Sequence, residues 1–108
     1  MPRLAEFEFR VLLTVMRCGG DAYAVAVHED LEARSRQQAS LGAVYITLDR
    51  LARKGYLSSR LGEPTAARGG RAKRHYTVTR RGLALLKVEC DAMQRLWAGL
   101  GLVEEPEP

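Results

Sequence analysis

Apolar residues recur at helical spacing in four segments of the chain, and this periodicity predicts four helices. The predicted helices cover residues 4–18, 22–34, 40–55 and 80–100. In the third helix the apolar stripe consists of Leu41, Val44, Leu48 and Leu51. The opposite face of that helix is small near its start and basic further along. A solvated amphipathic helix has the same pattern, so the periodicity alone does not assign a role to this face.

Polar residues and a glycine mark the predicted helix ends. Asp21, Ser40 and Thr79 precede three of the apolar segments. Their side-chain oxygens can accept a hydrogen bond from an orphan backbone N–H, so each is expected to be an N-cap. Gly55 can close the third helix in the left-handed conformation. Three consecutive helices joined by short turns suggest a helix-turn-helix, with the third as the candidate recognition helix.

Between the third and fourth helices the period changes from helical to alternating, which predicts two short strands. The alternating positions are Leu57, Ser59 and Leu61 in one strand and Arg74, Tyr76 and Val78 in the other. The intervening residues 62–73 are rich in Gly, Pro and Arg. We therefore expect a β-hairpin with a long basic loop.

The fourth helix carries apolar residues at alternating spacings of three and four. These residues are Leu83, Leu86, Cys90, Met93, Trp97 and Leu100. Nearly three heptads of this kind predict a helix–helix interface. Because no later element of the chain can cover this surface, we expect a twofold homodimer that pairs the fourth helices of two copies.

The net charge of +4 conceals an uneven distribution. Residues 50–81, here called the basic segment, contain ten Lys or Arg residues and one acid, Glu63, so their net charge is +9. The remaining 76 residues contain seven bases and twelve acids, a net charge of −5. A basic segment on an otherwise acidic molecule is typical of a surface for a polyanion, and double-stranded DNA is the expected partner.

These features predict a mainly α fold with a small β-hairpin wing, which is a winged helix-turn-helix with a C-terminal dimerisation helix. We expect a DNA-binding domain at residues 1–79, the dimerisation helix at residues 80–101 and an acidic, disordered tail at residues 102–108.

Several classes of protein are not expected. No apolar run approaches the roughly 20 residues of a membrane span, and the N-terminus does not resemble a secretion signal, so a cytoplasmic protein is expected. Cys18 and Cys90 lack the spacing of metal ligands and are expected to be buried free thiols. We find no glycine-rich phosphate loop and no nucleophile with a base at recognised spacing. The chain is therefore expected not to be an enzyme and to need no cofactor or metal.

The third helix and the wing resemble the pattern of the PadR-type transcriptional regulators. In the third helix the matching residues are Gly42, Tyr45, Leu48, Leu51 and Gly55. In the wing and the start of the fourth helix they are Gly69, Gly70, Arg71, Lys73, Arg74, Tyr76, Thr79 and Gly82. The single C-terminal helix is similar to the short subfamily. Family members often have Pro where this chain has Ile46, so the family's base preference does not transfer.

The resemblance and the charge distribution together imply a homodimer that binds an imperfect palindrome, more simply as a repressor than as an activator. The residues expected at DNA are Ser40, Gly42, Tyr45, Ile46, Thr47, Arg50, Arg53, Lys54, Arg68, Arg71 and Lys73. Arg50 could make a bidentate contact to guanine, and Tyr45 could reach a phosphate or a thymine methyl group. Arg53, Lys54 and the wing residues are expected at the DNA backbone.

Two questions stay open on the sequence alone. Leu86, Cys90, Met93 and Trp97 either form a plain dimer core or also line a site for a small hydrophobic or aromatic effector. A winged-helix module that binds RNA or protein without operator specificity would use the same helix face.

Overall fold

Four helices and one hairpin make up the part of the chain that a computed structural model describes, residues 4–63 and 72–103. The helices are α1 (Glu6–Cys18), α2 (Ala24–Ser35), α3 (Leu41–Arg53) and α4 (Arg80–Trp97), and the strands are β1 (Leu57–Leu61) and β2 (Arg74–Val78). Among these residues no helix is both long and apolar enough to cross a membrane. The order of elements confirms the predicted winged helix-turn-helix architecture.

The first three helices enclose the core. Its largest fully buried side chains are Val11, Leu12, Val15, Val27, Val44, Leu48 and Leu51. All three helices contribute to this set, and the predicted stripe of α3 supplies three of its members. Complete burial of such a side chain contributes about 1.5–3 kcal/mol. This burial holds α3 against α1 and α2 and leaves its opposite face free.

The ends of α3 confirm the sequence prediction. The Ser40 hydroxyl accepts a hydrogen bond from the backbone N–H of Ala43 at 3.0 Å. Gly55, just past the helix, has a φ of +84°, in the region that favours glycine. The segment before the helix is held by His28 of α2, whose Nε2 donates to the carbonyl oxygen of Ala39 at 2.6 Å.

The predicted start of α2 is wrong. Asp21 lies in a short 3₁₀ turn, Gly19–Asp21, and the N-cap of α2 is Tyr23, which makes no side-chain capping bond. The reason is that Ala22 is already committed to the hairpin. It is fully buried, and its carbonyl oxygen accepts a hydrogen bond from the backbone N–H of Tyr76 at 2.8 Å. Because Ala22 is bonded to β2 in this way, the helix α2 begins only after it.

The hairpin has the predicted strands in antiparallel register. Leu57 pairs with Val78 and Leu61 pairs with Arg74. Tyr76 is buried at the centre of β2, whereas β1 is exposed beyond Leu57. The hairpin thus packs on the core at its base and projects its outer part as a wing.

A junction of backbone and hydroxyl groups connects α3, the hairpin and α4. The Thr79 hydroxyl donates to the carbonyl oxygen of Gly55 at 2.7 Å and accepts from the backbone N–H of Gly82 at 3.1 Å. The backbone N–H of Thr79 donates to the carbonyl oxygen of Tyr56 at 3.1 Å. A Cβ atom at Gly82 would overlap that same Tyr56 carbonyl. The Thr-x-x-Gly pattern therefore reflects a close approach between the start of α4 and the end of α3.

Within the described part of the chain, only the first half of α4 packs on other elements. Leu86 is buried at 3% exposure, and most residues beyond it are exposed. The helix ends at Trp97 because Ala98 leaves the helical conformation with a ψ of 133°. The prediction that Leu100 lies on the helix is wrong, since Leu100 is in the turn that follows.

We expect Gly82→Ala to lower the free energy of unfolding by about 1–3 kcal/mol, because a methyl group there forces the backbone of Tyr56 away from α4. Gly42→Ala is the matched control, because the nearest atom to its added Cβ is the Ser40 hydroxyl at 3.9 Å. Urea denaturation of both variants measures the difference. Equal midpoints for the two variants would show that the junction tolerates separation.

Candidate nucleic-acid interface

The outer face of α3 is exposed and largely apolar near its start. Tyr45 is 52% exposed and Ile46 is 61% exposed, and Ser40 and Gly42 at the N-terminus are also exposed. Since the first turn of a helix carries free N–H groups and a positive dipole end, this region suits an anion such as phosphate. These four residues are exposed, as a contact with DNA would require.

Thr47 does not lie on this face. It is buried, with 5% exposure, on the same side as Val44 and Leu48. The expectation that Thr47 faces DNA is therefore wrong. The helical period contained the signal, because Thr47 follows Val44 by three residues and precedes Leu51 by four. Its hydroxyl group made it look like a surface residue.

Three basic residues follow along α3, and they have different surroundings. Arg50 is exposed, and within residues 4–63 and 72–103 its side chain makes no hydrogen bond or ion pair. Arg53 forms an exposed ion pair with Asp49 at 2.9 Å. The Lys54 ammonium lies 2.8 Å from a carboxylate oxygen of Glu8 on α1. The structure therefore places Lys54 in an ion pair of the protein, away from the role at phosphate that the sequence suggested.

Glu8 is a buried carboxylate whose ion pair with Lys54 joins α1 to the end of α3. Glu8 is 5% exposed, and its carboxylate also accepts a hydrogen bond from the backbone N–H of Ala5 at 3.1 Å. Burial by itself raises the pKa of Glu8. The hydrogen bonds from Lys54 and Ala5, with the positive charges of Lys54 and Arg50, outweigh burial, so the pKa of Glu8 lies below its ordinary value of 4.5.

The base of the wing is packed on the start of α2. The Lys73 ammonium lies 4.1 Å from the ring centroid of Tyr23, and the His75 ring meets the same tyrosine edge-on at 5.9 Å. The Arg74 guanidinium donates to the hydroxyl of Ser59 on β1 at 3.1 Å. Arg68 and Arg71, the other basic residues predicted for the wing, lie outside the described residues.

One groove of about 560 Å³ brings α3 and the wing together. It is lined by Tyr23, Ala24, Val25, Tyr45, Leu61, Ala72, Lys73, Arg74 and Tyr76. Tyr45 of α3 and Lys73 of the wing thus border the same groove, although 28 positions separate them in the sequence. Burial raises the pKa of Tyr76, which belongs to the floor of the groove and to the core.

The residues predicted for a dimer interface differ in how far they are buried. Leu86 is buried inside the protomer, so its assignment to a dimer interface or to an effector site is wrong. The sequence could not separate these cases, because a core position and a dimer position share one helical stripe. Leu83 and Trp97 are half-buried, and Cys90 and Met93 are exposed. Cys90 is therefore not the buried thiol that the sequence suggested.

Exposed apolar side chains nevertheless remain on two helices. They are Leu13 and Met16 on α1 and Val88, Met93 and Leu96 on α4. Leu96 is 74% exposed and Val88 is 50% exposed. Covering such side chains lowers the free energy of a protein in water.

The sequence profile of the transcriptional regulator PadR-like family matches residues 12–88, which include α2, α3, the wing and the start of α4. The chain belongs to the PadR-like family of transcriptional regulators. The recognition from the residues of α3 and the wing is thereby confirmed. Membership indicates a regulator of transcription. We find no match among curated proteins.

Solved structures show the same fold. A PadR-like transcription factor from Bacteroides fragilis has 24% identity and a TM-score of 0.71, over 83% of this chain and 82% of that one. A PadR family regulator from Clostridium difficile has 19% identity and a TM-score of 0.65, over 85% and 96%. FabT from Streptococcus pneumoniae, solved in complex with DNA, has 18% identity and a TM-score of 0.67, over 94% and 64%.

The ion pair of this PadR-like chain gives a stability prediction. Glu8 has a lowered pKa in the folded state, so its contribution is present above the unfolded-state pKa near 4.5 and is lost as the pH falls through the folded-state pKa. Lys54→Met leaves the buried carboxylate without its cation and should cost about 1–3 kcal/mol at neutral pH. Urea unfolding between about pH 7 and about pH 3 measures both effects.

Glu8→Gln is the control for the pH dependence. It should lose less stability than wild type on acidification, because glutamine takes up no proton. An unchanged acid profile in Glu8→Gln would mean that other carboxylates account for the acid lability.

Proposed function

We propose that this PadR-like protein is a sequence-specific regulator of transcription that binds double-stranded DNA as a homodimer and acts as a repressor. The observation that carries the proposal is the shared groove of α3 and the wing. Tyr45 of α3 and the basic residues Lys73 and Arg74 of the wing line this groove. A DNA duplex presents a major groove and its flanking phosphates with a similar arrangement.

Electrostatics support the same partner. The basic segment, at +9, contains the end of α3, the whole hairpin and the start of α4. Lys and Arg on such a surface displace counterions from DNA, so binding should weaken steeply with salt. That FabT, with a similar fold, was solved with DNA agrees with this assignment.

Contacts are assigned from exposure and position. Ser40, Gly42, Tyr45, Ile46 and Arg50 would meet the major groove and its edges. Arg53, Lys73 and, from the sequence, Arg68 and Arg71 would follow the backbone. Arg50 is the residue suited to a bidentate contact with guanine. Phosphate contacts set affinity and register, and the few contacts of α3 set sequence preference.

The exposed apolar side chains of α1 and α4 support the homodimer. A twofold axis through these side chains would pair the α4 helices and place two recognition helices on one face of a duplex. The half-sites would then be about 34–36 Å apart, one turn of DNA, in an imperfect palindrome. Repression follows most simply, since a bound dimer occludes a promoter.

A small hydrophobic or aromatic effector could act at the same interface. Cys90, Met93 and Trp97 remain candidates to line its site, because their side chains are not part of the protomer core. By repacking α4 against its partner, an effector would change the distance between recognition helices and release the DNA.

Arg50→Ala should weaken binding to a selected operator by about 5- to 150-fold, because it removes the bidentate contact to guanine. Arg95→Ala is the matched control. It removes the same charge from an arginine that is 80% exposed near the end of α4. Binding isotherms on the operator and on random duplex measure the specificity ratio.

Equal losses in the two variants would mean that net charge alone governs binding. Structured RNA, added as competitor, tests the alternative of an RNA-binding module. Stronger competition by RNA than by random duplex DNA would favour that alternative.

Met93→Lys should convert the protein to a monomer at micromolar concentration and abolish tight operator binding, because it buries a charge in the proposed interface. Gln94→Lys, one position away on the same helix and exposed, adds the same charge as a control. Sedimentation gives the mass of each variant. A monomeric wild-type protein would remove the model of two half-sites.

A further inference from the structure

Apart from the hydroxyl of Tyr45, the exposed side chains in the first half of α3 carry no hydrogen-bonding group. Gly42 has no side chain, and the exposed side chains of the next turn are those of Tyr45 and Ile46. Thr47, the one short polar side chain in this stretch, is buried. Any base read by this half of the helix is therefore read mainly through apolar contact.

Ile46 is not needed by the fold. It is 61% exposed, and the core on the other side of α3 is filled by Val44, Leu48 and Leu51. Burying an isoleucine at the centre of a DNA-facing surface lowers the free energy of binding only if the group that it contacts is apolar too. In the major groove the C5-methyl group of thymine is the apolar group that base edges present.

The neighbouring charges leave this contact undisturbed. Asp49, which would repel phosphate, is paired with Arg53 at 2.9 Å. Arg50 follows Ile46 by four residues, so it lies on the same face about 6 Å further along the helix axis. Base steps are about 3.4 Å apart, so the two side chains would reach positions roughly two steps apart.

We propose that Ile46, flanked by Tyr45, reads a thymine methyl group in each half-site, roughly two base steps from a guanine read by Arg50. This inference rests on the proposed function and specifies its operator chemistry. Each half-site then contains an A·T pair whose recognition depends on one methyl group.

The test uses duplexes selected by the wild-type protein from a randomised pool. Each thymine of the enriched half-site is replaced in turn by deoxyuridine, which removes the methyl group and keeps base pairing. At one position the replacement should weaken wild-type binding about fourfold per half-site, the factor for one buried methyl-sized group. The same replacement should leave the affinity of Ile46→Ala unchanged, as a double-mutant cycle requires for a direct contact.

Leu102→Ala is the matched control. Leu102 is an exposed apolar residue, at 74% exposure, and lies beyond the end of α4, outside the groove of α3 and the wing. This variant should keep the full uracil penalty of wild type. Circular dichroism checks that both variants are folded, which is expected for changes at exposed positions.

The outcomes separate the inference from the proposed function. If wild type enriches an operator but tolerates uracil at every position, or if Ile46→Ala keeps the penalty, the methyl contact is refuted and operator binding stands. If wild type enriches no sequence, the proposed function fails, and the methyl contact fails with it.

Discussion

The hydroxyl of Thr79 joins the end of α3 to the start of α4, and the wing and α4 are held relative to α3 through this junction. The hydroxyl donates to Gly55 and accepts from Gly82, while the backbone of Thr79 bonds to Tyr56. The contact requires a residue without Cβ at position 82, because the carbonyl of Tyr56 occupies that space. The end of α3, strand β2 of the wing and the start of α4 therefore meet at one point.

The chain uses its basic residues in two ways that a count of charges does not reveal. Lys54 is held by the buried carboxylate of Glu8 and stabilises the contact between α1 and α3. Arg53 is paired with Asp49 on the helix surface. Arg50 is exposed, and within the described residues it forms no ion pair. As a result the outer face of α3 combines apolar side chains at its start with this arginine a turn later.

The two sets of exposed apolar side chains have different geometries, and this suggests different partners. The exposed apolar side chains of α1 and α4 are spread over two helices. Those on α3 are limited to Tyr45 and Ile46, beside a basic wing. A small apolar patch with basic neighbours suits contact with a base edge. Apolar side chains spread over two helices suit packing against another protein.

Local rules in the sequence determined the helices, the cap at Ser40 and the end at Gly55, because each depends on residues that are close in the chain. Tertiary structure decided which face of a helix a borderline residue occupies and which partner a charge finds. Leu86 is buried in the core of the protomer, and Lys54 is paired because α1 brings Glu8 to it. Ala22 bonds to Tyr76 across 54 positions, so α2 begins later than its apparent cap. Periodicity carries no information about these contacts, since they form only when distant segments pack together.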